Sequence, residues 1–129
     1  MKQKGLFARE IVITVFLIIL LSTLCVKKIK DLKIMAQESI SQKNEQIIQE
    51  AIAVYRGDNE GRCPVHLTAL KGDYLENIPV NYTDGIPSNI VKEGTKFEDV
   101  FDGSGGWLYI NDGKDKTSCN IFPNTKGRK

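Results

Sequence analysis

Apolar residues follow three patterns along this 129-residue chain. Residues 11–26 run without a charge and without a polar stripe. From Ile29 the apolar positions thin out to steps near three and four, through Leu32, Ala36, Ile40, Ile47, Ala51, Ile52 and Tyr55, with a break at Lys43-Asn44. Lys28, Asp31, Lys33, Gln37, Glu38, Gln42, Glu45 and Gln49 fill the intervening positions. That spacing lines one face of a helix and leaves the other to water. No Pro or Gly interrupts residues 6–56. Together the first two patterns predict a single helix of roughly 50 residues, about 75 Å at 1.5 Å per residue. Its first half is hydrophobic all round, its second half is amphipathic, and Gly57 supplies its C-cap. The apolar positions keep no heptad over three repeats, which argues against a coiled-coil stalk.

The third pattern is short and broken. Gly57-Asp58-Asn59-Glu60-Gly61 reads as a loop, and a helical turn over His66-Leu67-Thr68-Ala69-Leu70 ends near Gly72. Residues 80–106 are polar and Gly-rich, mostly loop with one short strand near Ile90-Val91. Gly106-Trp107-Leu108-Tyr109-Ile110 then alternates as a strand, residues 111–116 turn, and residues 117–122 return, which is a hairpin signal. One face of so small a sheet must be buried, and the amphipathic half of the helix is the available cover. Leu67, Leu70, Tyr74, Leu75 and Ile78 are the residues that would close over it. The expected fold is therefore α+β: a long N-terminal helix packed on a small antiparallel sheet or hairpin.

The uncharged run alone is shorter than the roughly 20 residues a helix needs to cross about 30 Å of hydrocarbon. Counting back to Leu6 makes it long enough, provided that Arg9 and Glu10 are accommodated. Arg9 snorkels to the interface. Glu10 is shorter, and a lone charge at mid-membrane costs about 2.5 to 3.5 kcal/mol on insertion scales, so its carboxylate asks for a specific cation. Cleavage between Gly5 and Leu6 would create one, an α-amino group at the depth of Glu10 on the same helix edge or on a neighbouring copy.

These residues, Lys4-Gly5-Leu6-Phe7-Ala8-Arg9-Glu10 and the apolar run behind them, resemble the class III signal of type IV pilins and type II secretion pseudopilins. The resemblance implies that prepilin peptidase cuts after Gly5 on the cytoplasmic side, that Leu6 becomes an N-methylated terminus, and that Glu10 pairs with the N-terminus of an adjacent subunit during assembly. The segments Pro64-Val65-His66-Leu67-Thr68-Ala69-Leu70, Gly72-Asp73-Tyr74-Leu75 and Ile78-Pro79 are similar to a pseudopilin pattern, and the Gly-Gly-Trp-x-Tyr strand stands where that family places its sheet. On this reading residues 1–5 are a leader, 6–26 a transmembrane segment, 27–56 the amphipathic half of the helix and 57–129 a small extracytoplasmic head. Partners would be prepilin peptidase, copies of the chain or other pilin-like subunits, and inner-membrane assembly machinery. A plain uncleaved anchor is the main competing reading, with a head that binds a ligand and never polymerises. A secretory signal would need a small-residue cleavage site, and Ser22-Thr23-Leu24-Cys25-Val26 offers none, nor does Leu24 suit a lipoprotein site before Cys25.

Charge adds little to orientation, because Lys2, Lys4 and Arg9 flank one end of the run and Lys27, Lys28 and Lys30 the other. The resemblance implies leader inside and head outside. Removing residues 1–5 takes away two lysines and leaves sixteen residues of each sign, which argues against nucleic-acid binding driven by bulk charge. Cys25 lies within the apolar run, whereas Cys63 and Cys119 both fall in the outer part, where an oxidising compartment would let them pair. Two free thiols are the alternative, and two cysteines with one His supply no familiar metal spacing. No G-x-S-x-G, Walker A, H-E-x-x-H or dinucleotide-binding signature appears, so no enzyme and no cofactor is expected. Some pseudopilins bind calcium in a C-terminal loop; Asp99, Asp102, Asp112 and Asp115 are weak candidates by resemblance, with Asp112 and Asp115 foremost. Asn81-Tyr82-Thr83 matches a glycosylation acceptor, a pattern frequent by chance.

Overall fold

The computed structural model describes residues 2–83, 85–113 and 115–126, without the side chains at 2–4 and 6. It is an α+β structure in which α1 (Lys2–Asp58) is followed by a 3-10 turn (Leu67–Leu70), β1 (Asn81–Thr83), β2 (Ile86–Ser88), β3 (Val91–Gly94), α2 (Phe97–Val100), β4 (Ser104–Asn111) and β5 (Cys119–Thr125). The chain divides between Met35 and Ala36 into two compact units.

The described residues of the first unit are all helix. Among its residues every side chain from Phe7 to Met35 is exposed, including Phe7, Phe16, Leu20 and Leu24. Its hydroxyls are satisfied locally: Ser22 donates to the Ile18 carbonyl at 2.7 Å and Thr23 to the Leu20 carbonyl at 2.8 Å. In hydrocarbon that matters, since an unpaired polar group there costs several kcal/mol.

The second unit carries the core. Ile48, Ala51 and Ile52 of α1 meet Leu67, Leu70 and Leu75 from the segment after the helix and Trp107, Tyr109 and Ile121 from the sheet. Tyr55, Tyr74 and Ile78 pack at its margin, so all five residues expected to close over the helix do so. Trp107 has no exposed surface, and its indole donates to the Pro79 carbonyl at 2.7 Å, as a buried Trp must.

The single apolar face expected for the outer half of α1 is two faces. Ala51, Ile52 and Tyr55 point to the core, but Ile40 and Ile47 are exposed, and the central core residue is Ile48. Lys43-Asn44, expected as a break, supplies an anchor: Asn44 donates to the Val80 carbonyl at 2.7 Å, and Ser41 accepts the Tyr82 amide at 2.9 Å. These two side chains pair backbone groups at the start of β1 that a three-residue strand cannot satisfy by itself.

α1 also ends later than expected. Gly57 lies inside the helix, and the left-handed residues are Glu60 (φ 56°) and Gly61 (φ 81°). The Gly61 amide donates to the Arg56 carbonyl at 2.7 Å, the long bond of a Schellman closure with a non-glycine residue at its left-handed position.

Residues 80–106 hold more structure than a loop. β1 and β2 form an antiparallel pair, and β3 lies parallel to β4, so the three-stranded sheet β3-β4-β5 is mixed and not purely antiparallel. The expected hairpin is β4 with β5, antiparallel from Trp107 opposite Pro123 to Asn111 opposite Cys119. A bulge interrupts the pairing between Ser104 and Trp107. Gly106 (φ 75°) is required there, because a Cβ would lie 2.1 Å from the Ile90 carbonyl oxygen, the acceptor of the Trp107 amide. The Gly106 carbonyl in turn accepts from Asn81 at 2.7 Å. Asn81 is 1% exposed, which removes it as a glycosylation acceptor in the folded head.

Candidate functional site

The residues singled out for processing and assembly lie on the first unit of α1. Gly5 and Glu10 are both in helix and both exposed. Leu6 is helical, and its side chain is outside the described residues. The Glu10 carbonyl accepts from Thr14 at 2.8 Å, while among the described residues its carboxylate has no hydrogen-bond or ion-pair partner. Arg9, next to it, does not neutralise it: adjacent residues on a helix diverge by about 100° and do not face each other. Among the described residues, then, a carboxylate stands unpaired at the head of residues 11–26, sixteen consecutive uncharged and exposed positions. Phe7–Asp58 is the one helix among the described residues long and apolar enough to cross a membrane.

The head is tied together by a disulfide between Cys63 and Cys119, with Cα atoms 6.1 Å apart and a sequence separation of 56. Cys25 is free and exposed. The bond joins the segment leaving α1 to the first residue of β5, and neighbouring groups support the same junction. The Cys63 amide donates to the Lys116 carbonyl at 2.7 Å. Tyr109 and Asn111 of β4 both donate to the Pro64 carbonyl, at 2.6 and 3.2 Å. Burial, then the charge of Glu93, pushes the Tyr109 phenol up to about 12.

His66 is not in the helical turn but just before it, in extended backbone. Its own side chain leaves the turn uncapped; Glu93, brought over on β3, accepts from the Leu67 amide at 2.8 Å and pairs with His66 Nδ1 at 2.6 Å. The cap therefore comes from 26 residues away in sequence.

The acidic candidates for calcium are occupied by structural work or stand alone. Asp102 pairs with Lys92 and accepts from Asn124 at 2.8 Å and the Ser104 amide at 3.0 Å. Lys92, with Asn124 and Ser104, holds its carboxyl well below the usual range. Asn124 is fully buried and also accepts the Gly103 amide at 2.8 Å, so this network pins the 102–104 loop to β5. Asp115 accepts from the Thr117 amide and hydroxyl, which lower its pKa. Asp112 and Asp99 are exposed. Among the described residues no three His, Cys, Asp or Glu side chains gather as a metal site would require. Comparison of the chain with family models, with curated proteins and with solved structures finds no match.

Proposed function

We propose that this chain is a pilin-like structural subunit, cut between Gly5 and Leu6, held in a bacterial inner membrane by residues 6–26 with its head outside the cytoplasm, and drawn into a type IV pilus or type II secretion pseudopilus. The observation that carries the proposal is the Glu10 carboxylate, without a partner among the described residues, at the head of an exposed apolar helix. A group of that kind is costly in lipid unless a cation meets it, and the α-amino group freed at Leu6 of an adjacent copy is a cation at the same depth. The apolar surface that faces lipid in the monomer would face other copies in the fibre. A disulfide joining the head suits an oxidising compartment.

A second reading is a single-pass anchored domain that binds a partner and does not polymerise. It is favoured by the ring cluster of Phe97, Phe101 and Phe122, whose centroids lie 5.0 and 5.4 Å apart and which stays 36% to 41% exposed on the head. The Glu10→Ala substitution separates the two. Assembly through Glu10 predicts that the variant is still cut after Gly5 but is depleted from sheared fibres; an unchanged fibre fraction favours the anchored binding domain.

A further inference from the structure

Past Val26 the first unit changes character abruptly. Lys27, Lys28, Lys30 and Lys33 stand against one acid, Asp31, and every side chain of residues 27–33 is exposed. At 100° per residue, Lys27, Lys30 and Lys33 follow one another about a turn apart and fill an arc of about 120°. Asp31 is three or four positions from Lys27 and Lys28, whereas Lys30 and Lys33 have no acid at that spacing on either side. Among the described residues none of the four lysines has an ion-pair or hydrogen-bond partner. Like charges stacked a turn apart on a helix repel one another, so the row favours an anion supplied from outside the chain.

We propose that these lysines bind the phosphate headgroups of anionic phospholipids and so tie the chain to membrane rich in them, an inference that rests on the span proposed above. Val26 is the last uncharged residue of that span, and the row from Lys27 to Lys33 covers about 9 Å of helix axis beyond it. The headgroup layer is about 5 to 8 Å deep on each side of a bilayer, and lysine stems reach back along the helix. All four ammonium groups therefore fall at the level of the lipid phosphates, where a soluble anion would be far more dilute than the headgroups around it. Processing sharpens the asymmetry. Loss of residues 1–5 removes Lys2 and Lys4 and leaves Arg9 as the one cationic side chain on the inner flank, against four lysines on the outer one, the reverse of the usual bias. Anionic headgroups in the outer leaflet compensate for that reversal. A copy leaving lipid for a fibre gives up these contacts, so lipid composition sets how readily copies leave the membrane.

The test reconstitutes the full chain, as purified from cell membranes, into bilayers of equal parts phosphatidylglycerol and phosphatidylcholine. After gentle detergent extraction, native mass spectrometry counts the lipids that stay bound. The expected result is at least about fivefold more phosphatidylglycerol than phosphatidylcholine per chain. Lys27→Gln, Lys28→Gln, Lys30→Gln and Lys33→Gln together should bring the two lipids to near equality, while Lys43→Gln with Lys71→Gln, exposed lysines of the second unit, should leave the preference intact. An intact Cys63–Cys119 bond shows that each variant still folds its head. Glycerol phosphate offered in place of phosphatidylglycerol should bind the native chain no better than the four-glutamine variant. Equal retention of the two lipids, a preference that survives the four substitutions, or glycerol phosphate bound as tightly as the lipid overturns the inference. The underlying reading fails separately. A lipid preference in chains that still begin at Met1 upholds the headgroup site and removes the processing step, whereas processed chains that insert into phosphatidylcholine bilayers and show no preference remove the headgroup site alone.

Discussion

Ile47 and Ile48 are neighbours in sequence and lie on different surfaces of α1: Ile48 has no exposed surface at the centre of the core, and Ile47 remains 37% exposed beside it. Stability therefore belongs to one and surface behaviour to the other. Ile48→Ala should cost about 2 to 5 kcal/mol by loss of buried area and creation of a cavity, while Ile47→Ala should change stability by less than about 1 kcal/mol. Urea unfolding of the full chain in detergent, followed through its one tryptophan, measures both. Equal losses would mean that the two residues share one face.

The Cys63–Cys119 bond closes a large loop around a thin core. In the chain-entropy model a loop of that length stabilises by roughly 4 kcal/mol, a large share for so small a head. Cys63→Ala with Cys119→Ala should lower the urea midpoint accordingly, and reductant should do the same to the native chain while leaving the double variant unaffected. An unchanged midpoint in the double variant would contradict this.

Asn124 satisfies the loop before β4 from inside the head, donating to Asp102 and accepting from the Gly103 amide. Asn124→Ala should cost about 1 to 3 kcal/mol, because it leaves the half-buried Gly103 amide without its acceptor and frees the 102–104 segment. Hydrogen exchange should accelerate at Gly103 first. Protection there equal to that of the native chain would show that the network does not hold the loop.

Tyr109 gives the head an alkaline limit. Its folded pKa, about 12, stands above the roughly 10 of an unfolded tyrosine. The unfolded state therefore loses this proton first, and the contribution is whole below about pH 10 and is lost as pH rises toward 12. Comparing urea midpoints from pH 8 to 12 should show a steeper alkaline fall in the native chain than in Tyr109→Phe. Parallel curves would contradict the burial assigned to the phenol.

Much of this architecture is legible in the residues. The long helix follows from an apolar run and the lack of breakers, the β4–β5 hairpin from its alternation, and the disulfide from two cysteines beyond the span. The phase of the outer helix is not legible, because Ile40 and Ile47 on one arc and Ile48 and Ile52 on the next are equally apolar, and only the packed head tells them apart. β1 and β2 have three residues each and no alternation; partners such as Ser41 and Asn44 lie some 40 positions away. The parallel pairing of β3 with β4 has no local signal, and the same holds for Glu93 as the cap of the Leu67–Leu70 turn. At the N-terminal end the sequence pattern carries the reading almost alone, since the exposed helix adds that Glu10 has no partner among the described residues and little else.

The mass of the intact chain extracted from membranes tests the central claim most directly. Processing predicts a species lacking residues 1–5 and carrying one added methyl group on Leu6. A chain that keeps Met1 through Gly5 would contradict it, since Glu10 would then have no freed amine to meet.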